Sequence, residues 1–155
     1  MECHRTRVGE ANVSMRMKEV QAVVGGEGNG GIIFPELHMV RDAGVGMALI
    51  LNRMAATKKT VSELVAQLPV YRMIKTSVPV GEDDPSELVE RVSKFYPHDQ
   101  VSRIDGVRVV FEDGWVQVRP SNTEPILRVF AEAEREDRAK SLLDEMLNNI
   151  EQLRG

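Results

Sequence analysis

Apolar residues recur along this chain with two periods, and the change from one to the other divides it. From Ala11 to Glu19, Val13, Met17 and the following Val20 fall at helical spacing, and Gln21 to Val24 predicts a short buried strand. The longest helical pattern runs from Pro35 to about Ala56, with Val40, Met47, Ala48, Leu51, Met54 and Ala55 on one face. Leu49 and Ile50 make other sides apolar too, which predicts a helix largely buried between layers. Thr60-Val-Ser-Glu63 reads as a capping box opening a short helix that carries Val61, Leu64, Val65 and Leu68 and stops at Pro69.

Beyond Pro69 the period shortens to two. Tyr71 to Val80 reads as a strand, and Asp84-Pro85-Ser86-Glu87 as a helix start, with Leu88, Val89, Val92 and Phe95 facing inward until Pro97. Val101 to Ile104, Val107 to Phe111 and Trp115 to Val118 form a predicted meander turning at Asp105-Gly106 and Glu112-Asp113-Gly114. Ile126 to Ala133 then alternates Leu127, Val129, Ala131 and Ala133 against Arg128 and Glu132. A last helix from about Glu134 to Leu153 buries Ala139, Leu142, Leu143, Met146, Ile150 and Leu153. The expectation is two domains, 1–69 helix-rich and 70–155 strand-rich.

Composition narrows the class. With 155 residues, 42% hydrophobic and 28% charged, the chain reads as globular. A net charge of -4 argues against general affinity for nucleic acid or an anionic membrane, so any anion site must be local. One cysteine, Cys3, excludes an internal disulfide and fits a reducing cytoplasm. The longest apolar run, Ala43 to Leu51, is far short of the roughly 20 residues that span a bilayer. His4, His38 and His98 share no spacing with a nucleophile or metal partner, and Asp83 and Asp84 read as caps rather than a metal site.

Two stretches carry chemistry. Arg119-Pro120-Ser121-Asn122-Thr123-Glu124-Pro125 brackets two hydroxyls, an amide and a carboxylate between prolines at the end of a strand. Arg119 offers a planar fork that fits a phosphate bidentately, and Ser121, Asn122, Thr123 and the loop N–H groups can supply further bonds. An ordinary polar turn with a solvated arginine has the same composition. Gly25-Gly26-Glu27-Gly28-Asn29-Gly30-Gly31 lacks the Gly-Lys-Ser/Thr of an NTPase phosphate loop. Its carboxylate and amide suit the hydroxyls of a pyranose, although a flexible surface loop reads the same way.

Together these motifs resemble the α-D-phosphohexomutases, the family of phosphoglucosamine mutase, phosphomannomutase and phosphoglucomutase. Arg-Pro-Ser-Asn-Thr-Glu-Pro followed by Ile-Leu-Arg-Val-Phe-Ala-Glu-Ala is similar to the family's C-terminal phosphate-binding loop, and the glycine run to its sugar-binding loop. The resemblance covers the back part of a four-domain enzyme: the end of an α/β third domain, then a small α+β fourth domain with a mainly antiparallel sheet, like that of the TATA-box-binding protein. It implies reversible phosphate transfer between the 6- and 1-positions of a hexose through a bisphosphate. Arg119, Ser121, Asn122 and Thr123 would grip the non-reacting phosphate, and Glu27 and Asn29 the sugar hydroxyls. Glu10, after a Val-Gly step, stands where relatives place a polar residue near the sugar.

The family's phosphoserine loop and its aspartate-rich Mg2+ loop have no counterpart in these residues. The resemblance therefore implies an inactive portion whose nucleophile, metal ligands and N-terminal domains lie elsewhere in a longer polypeptide. Gly-Glu-Gly-Asn-Gly is similar to archaeal-type members, and Glu27 suits either an ammonium or a hydroxyl at the 2-position, leaving glucosamine and mannose phosphates both open. A stand-alone, non-catalytic phosphosugar-binding module is the alternative.

Overall fold

A computed structural model describes residues 2–154; Met1 and Gly155, the outer limits of the two expected domains, lie outside the described residues. The chain separates into two compact units between Pro69 and Val70.

The first unit contains α1 (Glu10–Val20), a ribbon of β1 (Gly25–Gly26) and β2 (Ile32–Ile33), α2 (Ala43–Thr57) and α3 (Val61–Val65). Its buried apolar core is Val13 and Met17 from α1 and Ile33 from β2, with Ala22 and Met39 packed against them. Three expectations are corrected here. Gln21 to Val24 is not a strand: Gln21 takes a left-handed conformation and closes α1 through the Ala22 N–H on the Met17 carbonyl, leaving Val23 and Val24 exposed. The long helix starts at Ala43 rather than Pro35, because Asp42 is extended and its Oδ1 accepts from the Val45 N–H, while Phe34 to His38 forms its own bridged turn. Nor is that helix buried among the described residues. Met47, Ile50 and Leu51 are all at least half exposed, since a two-stranded ribbon is too small to cover a helix that is apolar all round. The short helix does carry the capping box of Thr60 and Glu63.

The second unit is a five-stranded antiparallel sheet in the order β3-β7-β6-β5-β4, where β3 is Arg72–Pro79, β4 Val101–Ser102, β5 Val107–Phe111, β6 Gly114–Pro120 and β7 Ile126–Ala133. Two helices, α4 (Pro85–Ser93) and α5 (Glu136–Leu153), pack on one face. The alternation along β6 and β7 decides which face: Val116, Val118, Leu127, Val129, Ala131 and Ala133 are buried under Leu88, Val92, Leu142, Met146 and Ile150. Asp84 caps α4 by accepting from the Glu87 N–H, as its sequence predicts. Phe95 corrects another expectation, because α4 ends at Ser93 and the following turn leaves Phe95 exposed while Tyr96 enters the core. The fold is an α/β unit followed by an α+β unit built on an antiparallel sheet.

Candidate functional site

In the second unit, β6 and β7 are joined by the Arg-Pro-Ser-Asn-Thr-Glu-Pro loop, and the backbone holds that loop at both ends. Ser121 N–H donates to the Ile126 carbonyl at 3.0 Å, Ile126 N–H to Glu124 at 2.8 Å, and Val80 N–H to Pro125 at 3.0 Å. Asn122 and Thr123 stand exposed at the tip, and Ser121 is half-buried. Pairing of β6 with β7 sets Arg119 directly opposite Arg128 on the face away from the helices. Like charges opposite one another in an antiparallel pair oppose folding, so each needs compensation.

Both arginines have it. Arg128 donates through Nε to Ser121 Oγ at 3.4 Å and through Nη2 to Glu124 Oε2 at 3.0 Å. Arg119 Nε lies 3.4 Å from Asp105 Oδ2, and its guanidinium carbon is 5.8 Å from the Phe130 ring centre. Arg128 enters the cluster from a strand position where the sequence leaves open a phosphate contact or, by default, a solvated side chain; register adds its direct opposition to Arg119. Two guanidinium groups, a hydroxyl and exposed amide and hydroxyl groups make a place suited to an oxyanion with several charges.

In the first unit the glycine stretch is the turn of the β1–β2 ribbon. Glu27 N–H donates to the Gly31 carbonyl and Gly30 N–H to Glu27, both at 3.0 Å, with Gly30 at φ 93°. The Glu27 carboxylate turns inward: Oε1 accepts from the Gly9 N–H at 3.0 Å, and Oε2 lies 3.3 Å from Arg41 Nη1. Glu10 meets the same arginine, accepting from the Arg41 N–H at 2.9 Å and from Nε at 2.8 Å. Those donors hold the Glu10 carboxyl below the usual carboxylate range, the backbone N–H first and the guanidinium second. Asn29 Oδ1 accepts from the Gly31 N–H at 3.1 Å, leaving its amide NH2 at the exposed tip.

Thus Glu10 and Glu27, 17 positions apart in sequence, converge on Arg41, a residue that sequence patterning places inside the predicted long helix and gives no role. A carboxylate has about four lone-pair sites, so Glu27 keeps acceptor capacity for hydroxyl groups after both contacts. Among the described residues no three His, Cys, Asp or Glu side chains converge to hold a metal ion, and no helix is long and apolar enough to cross a membrane. His38 instead pairs with the α2 cap, Nε2 to Asp42 Oδ2 at 2.9 Å.

Comparison with known proteins matches residues 1–71 to the family description "Phosphoglucomutase/phosphomannomutase, alpha/beta/alpha domain III" and residues 73–149 to "Phosphoglucomutase/phosphomannomutase, C-terminal domain". A probable phosphoglucosamine mutase of Methanopyrus kandleri is 36% identical over 151 residues, covering 96% of this chain and 33% of that protein. A phosphoglucomutase/phosphomannomutase of Thermococcus kodakarensis is 39% identical over 142 residues, covering 90% of this chain and 31% of the relative. The chain thus spans about a third of the length of the curated relatives it matches. Among solved structures, a phosphoglucomutase/phosphomannomutase family protein from Burkholderia thailandensis superposes with a TM-score of 0.73 at 24% identity, over 94% of this chain and 32% of its own.

Proposed function

We propose, from the premise that this chain belongs to the phosphoglucomutase/phosphomannomutase family and matches its domains III and IV, that it is the substrate-recognition portion of a phosphohexomutase, holding the end of domain III and the C-terminal domain. The reaction is the interconversion of a hexose 6-phosphate and a hexose 1-phosphate through a bisphosphate, with glucosamine or mannose as the hexose. A phosphoserine, the Mg2+ ligands and the other domains belong to parts of a longer, cytoplasmic protein, and these residues alone do not turn substrate over.

Within that scheme the chain binds and orients. Arg119 presents its Nη1–Nη2 edge to the phosphate that is not reacting, and Ser121, Asn122 and Thr123 complete the oxyanion's hydrogen bonds. Glu27 and Asn29 accept from and donate to sugar hydroxyls, and Glu10 keeps Arg41 against Glu27. Gripping the remote phosphate uses binding energy away from the reacting atoms to orient them, which is a large part of catalysis in phosphoryl transfer. A generic phosphate grip and paired hydroxyl contacts tolerate a ligand presented in either of two orientations, as a bisphosphate intermediate requires.

The single observation that carries this reading is the opposition of Arg119 and Arg128 beside a backbone-closed loop of hydroxyl and amide groups. Calorimetric titration of the chain with glucosamine 6-phosphate, mannose 6-phosphate and inorganic phosphate tests it. Arg119→Ala should weaken binding by on the order of 10- to 100-fold, the worth of charge-assisted hydrogen bonds of roughly 1.5–3 kcal/mol. Equal binding by the variant would remove Arg119 from its role. Mutase turnover by the clean 155-residue chain would overturn the claim that it only recognises substrate.

A further inference from the structure

We infer that Asp105, in the β4–β5 turn, is a positioning residue that sets the orientation of the Arg119 guanidinium; the inference rests on the phosphate-gripping role proposed for Arg119. Four observations converge on that turn. First, Asp105 Oδ2 is a buried atom that makes no hydrogen bond, and Arg119 Nε stands 3.4 Å from it. Second, both side chains are shielded, with relative exposures of 21% for Asp105 and 17% for Arg119, so their attraction is screened less than that of a surface pair.

Third, the turn is built to sit against Arg119. Gly106 has φ 67°, and a Cβ placed on it would stand 2.3 Å from the Val118 carbonyl oxygen, 2.6 Å from Arg119 Cβ and 2.8 Å from Arg119 Cα. Those contacts are with backbone and the root of the side chain, which have no room to retreat, so a residue other than glycine would push the turn off β6. Fourth, Gln117, two residues before Arg119 on the same face, donates through Nε2 to the Asp105 carbonyl at 2.7 Å. Strand β6 thereby holds the turn, and the turn returns a carboxylate to β6's own arginine.

The chemical consequence lies in which edge of the guanidinium is engaged. Asp105 stands against Nε, and the guanidinium carbon lies 5.8 Å from the Phe130 ring centre, so the Nη1–Nη2 edge is the one that Asp105 does not occupy. That is an edge from which an arginine can make two parallel bonds to one oxyanion. A side chain held in its binding rotamer loses less entropy when the ligand arrives, so Asp105 strengthens phosphate binding without touching phosphate.

The test uses the 155-residue chain, with inorganic phosphate and mannose 6-phosphate as probes, in calorimetry and in 15N-edited NMR of the Arg119 Nε–H signal. Asp105→Asn keeps the shape and removes the charge. It should weaken both probes by on the order of tenfold, shift the Arg119 Nε–H signal and speed its exchange with solvent, and have no further effect in an Arg119→Ala background. Gln117→Met, which leaves the carboxylate and unhooks its backbone, should move the same signal in the same direction with a smaller loss of affinity; it carries the test if Asp105→Asn unfolds. Wild-type affinity in Asp105→Asn, with binding lost in Arg119→Ala, would overturn the positioning role and leave the phosphate reading standing. An equal loss from Asp105→Asn in the Arg119→Ala background would overturn it too, because Asp105 would then act by another route. If Arg119→Ala binds like wild type, it is the phosphate reading that fails; an Nε–H signal unmoved by Asp105→Asn would then overturn the positioning role independently.

Discussion

The two units of this chain hold their candidate loops by different means. In the second unit, a core of valines, leucines, Met146 and Ile150 lies between a five-stranded sheet and two helices, and the arginine loop directly joins two interior strands, β6 and β7. In the first, three buried apolar side chains anchor a two-residue ribbon, and the acidic loop is held by Arg41 and the Gly9 N–H. A loop continuous with a sheet inherits the sheet's register, so Arg119 and Arg128 are placed to within the tolerance of backbone hydrogen bonds. A loop tied partly by side chains loses part of its hold when those side chains lose their charges. In the function proposed above, a phosphate grip would profit from the first arrangement and a glycine-rich sugar loop from the second, because glycines let the backbone close on a ligand.

Substitution in each core should show the difference most strongly. Trp115 is the chain's one tryptophan and lies in β6, so its fluorescence follows the second unit alone. Leu127→Ala removes a fully buried side chain from β7 and should lower the stability read by Trp115 in denaturant by about 2–5 kcal/mol. Ile33→Ala should leave that transition in place, since the two cores share no residue. A common shift in both variants would break the comparison.

Gly26→Ala probes the ribbon. A Cβ there would stand 2.7 Å from the Gly31 carbonyl oxygen, and backbone cannot move aside as a flexible side chain can. The expected cost is about 1–3 kcal/mol, visible as loss of the Glu27–Gly31 backbone hydrogen bond in amide exchange, with the Trp115 transition unchanged. Retained protection at the Glu27 amide would argue against a tight ribbon.

Tyr96 sharpens the contrast from the other side. Burial first, and the nearby Glu145 charge second, push its phenol up to about 12, and Asn149 Nδ2 donates to its oxygen at 2.9 Å. A group whose folded pKa is raised contributes stability that is fully present below its unfolded value, near 10, and lost as pH rises through about 12. Urea titrations above pH 10 should therefore show the second unit weakening, and Tyr96→Phe should abolish that dependence at a cost of about 1 kcal/mol at neutral pH. An unaltered pH dependence in Tyr96→Phe would assign the loss to another group.

The smallest effect belongs to Arg41. Its contacts depress the Glu10 carboxyl, so their contribution is present above the ordinary glutamate pKa and lost as pH falls through the lowered folded value. Arg41→Ala removes the guanidinium but keeps the backbone N–H, the larger cause, so it should relieve the depression of Glu10 only in part, as followed by carboxyl carbon chemical shifts. A Glu10 titration left unmoved would show that the guanidinium contributes nothing to its depression.

Much of this molecule is legible in its residue order, and the limits of that legibility are physical. Alternation along Ile126 to Ala133 names the buried face of β7 because a strand's side chains have a strict period of two, and Asp84 and Thr60 announce their helices because a cap is a local hydrogen bond. The composition of both binding loops is local too, so their candidate residues stand out in the chain. What the residue order could not supply depends on partners distant in sequence. Periodicity runs α2 back to Pro35 because it does not register that Asp42 competes for the first turn. It buries Met47, Ile50 and Leu51 because apolarity says what a side chain avoids, not what is there to cover it. The meeting of Glu10 and Glu27 on Arg41, of Arg119 with Arg128, and of Asp105 with Arg119 each requires segments distant in sequence to be brought together by the core of their own unit. Local chemistry thus belonged to the sequence, and the choice of which charged groups face one another belonged to the tertiary fold.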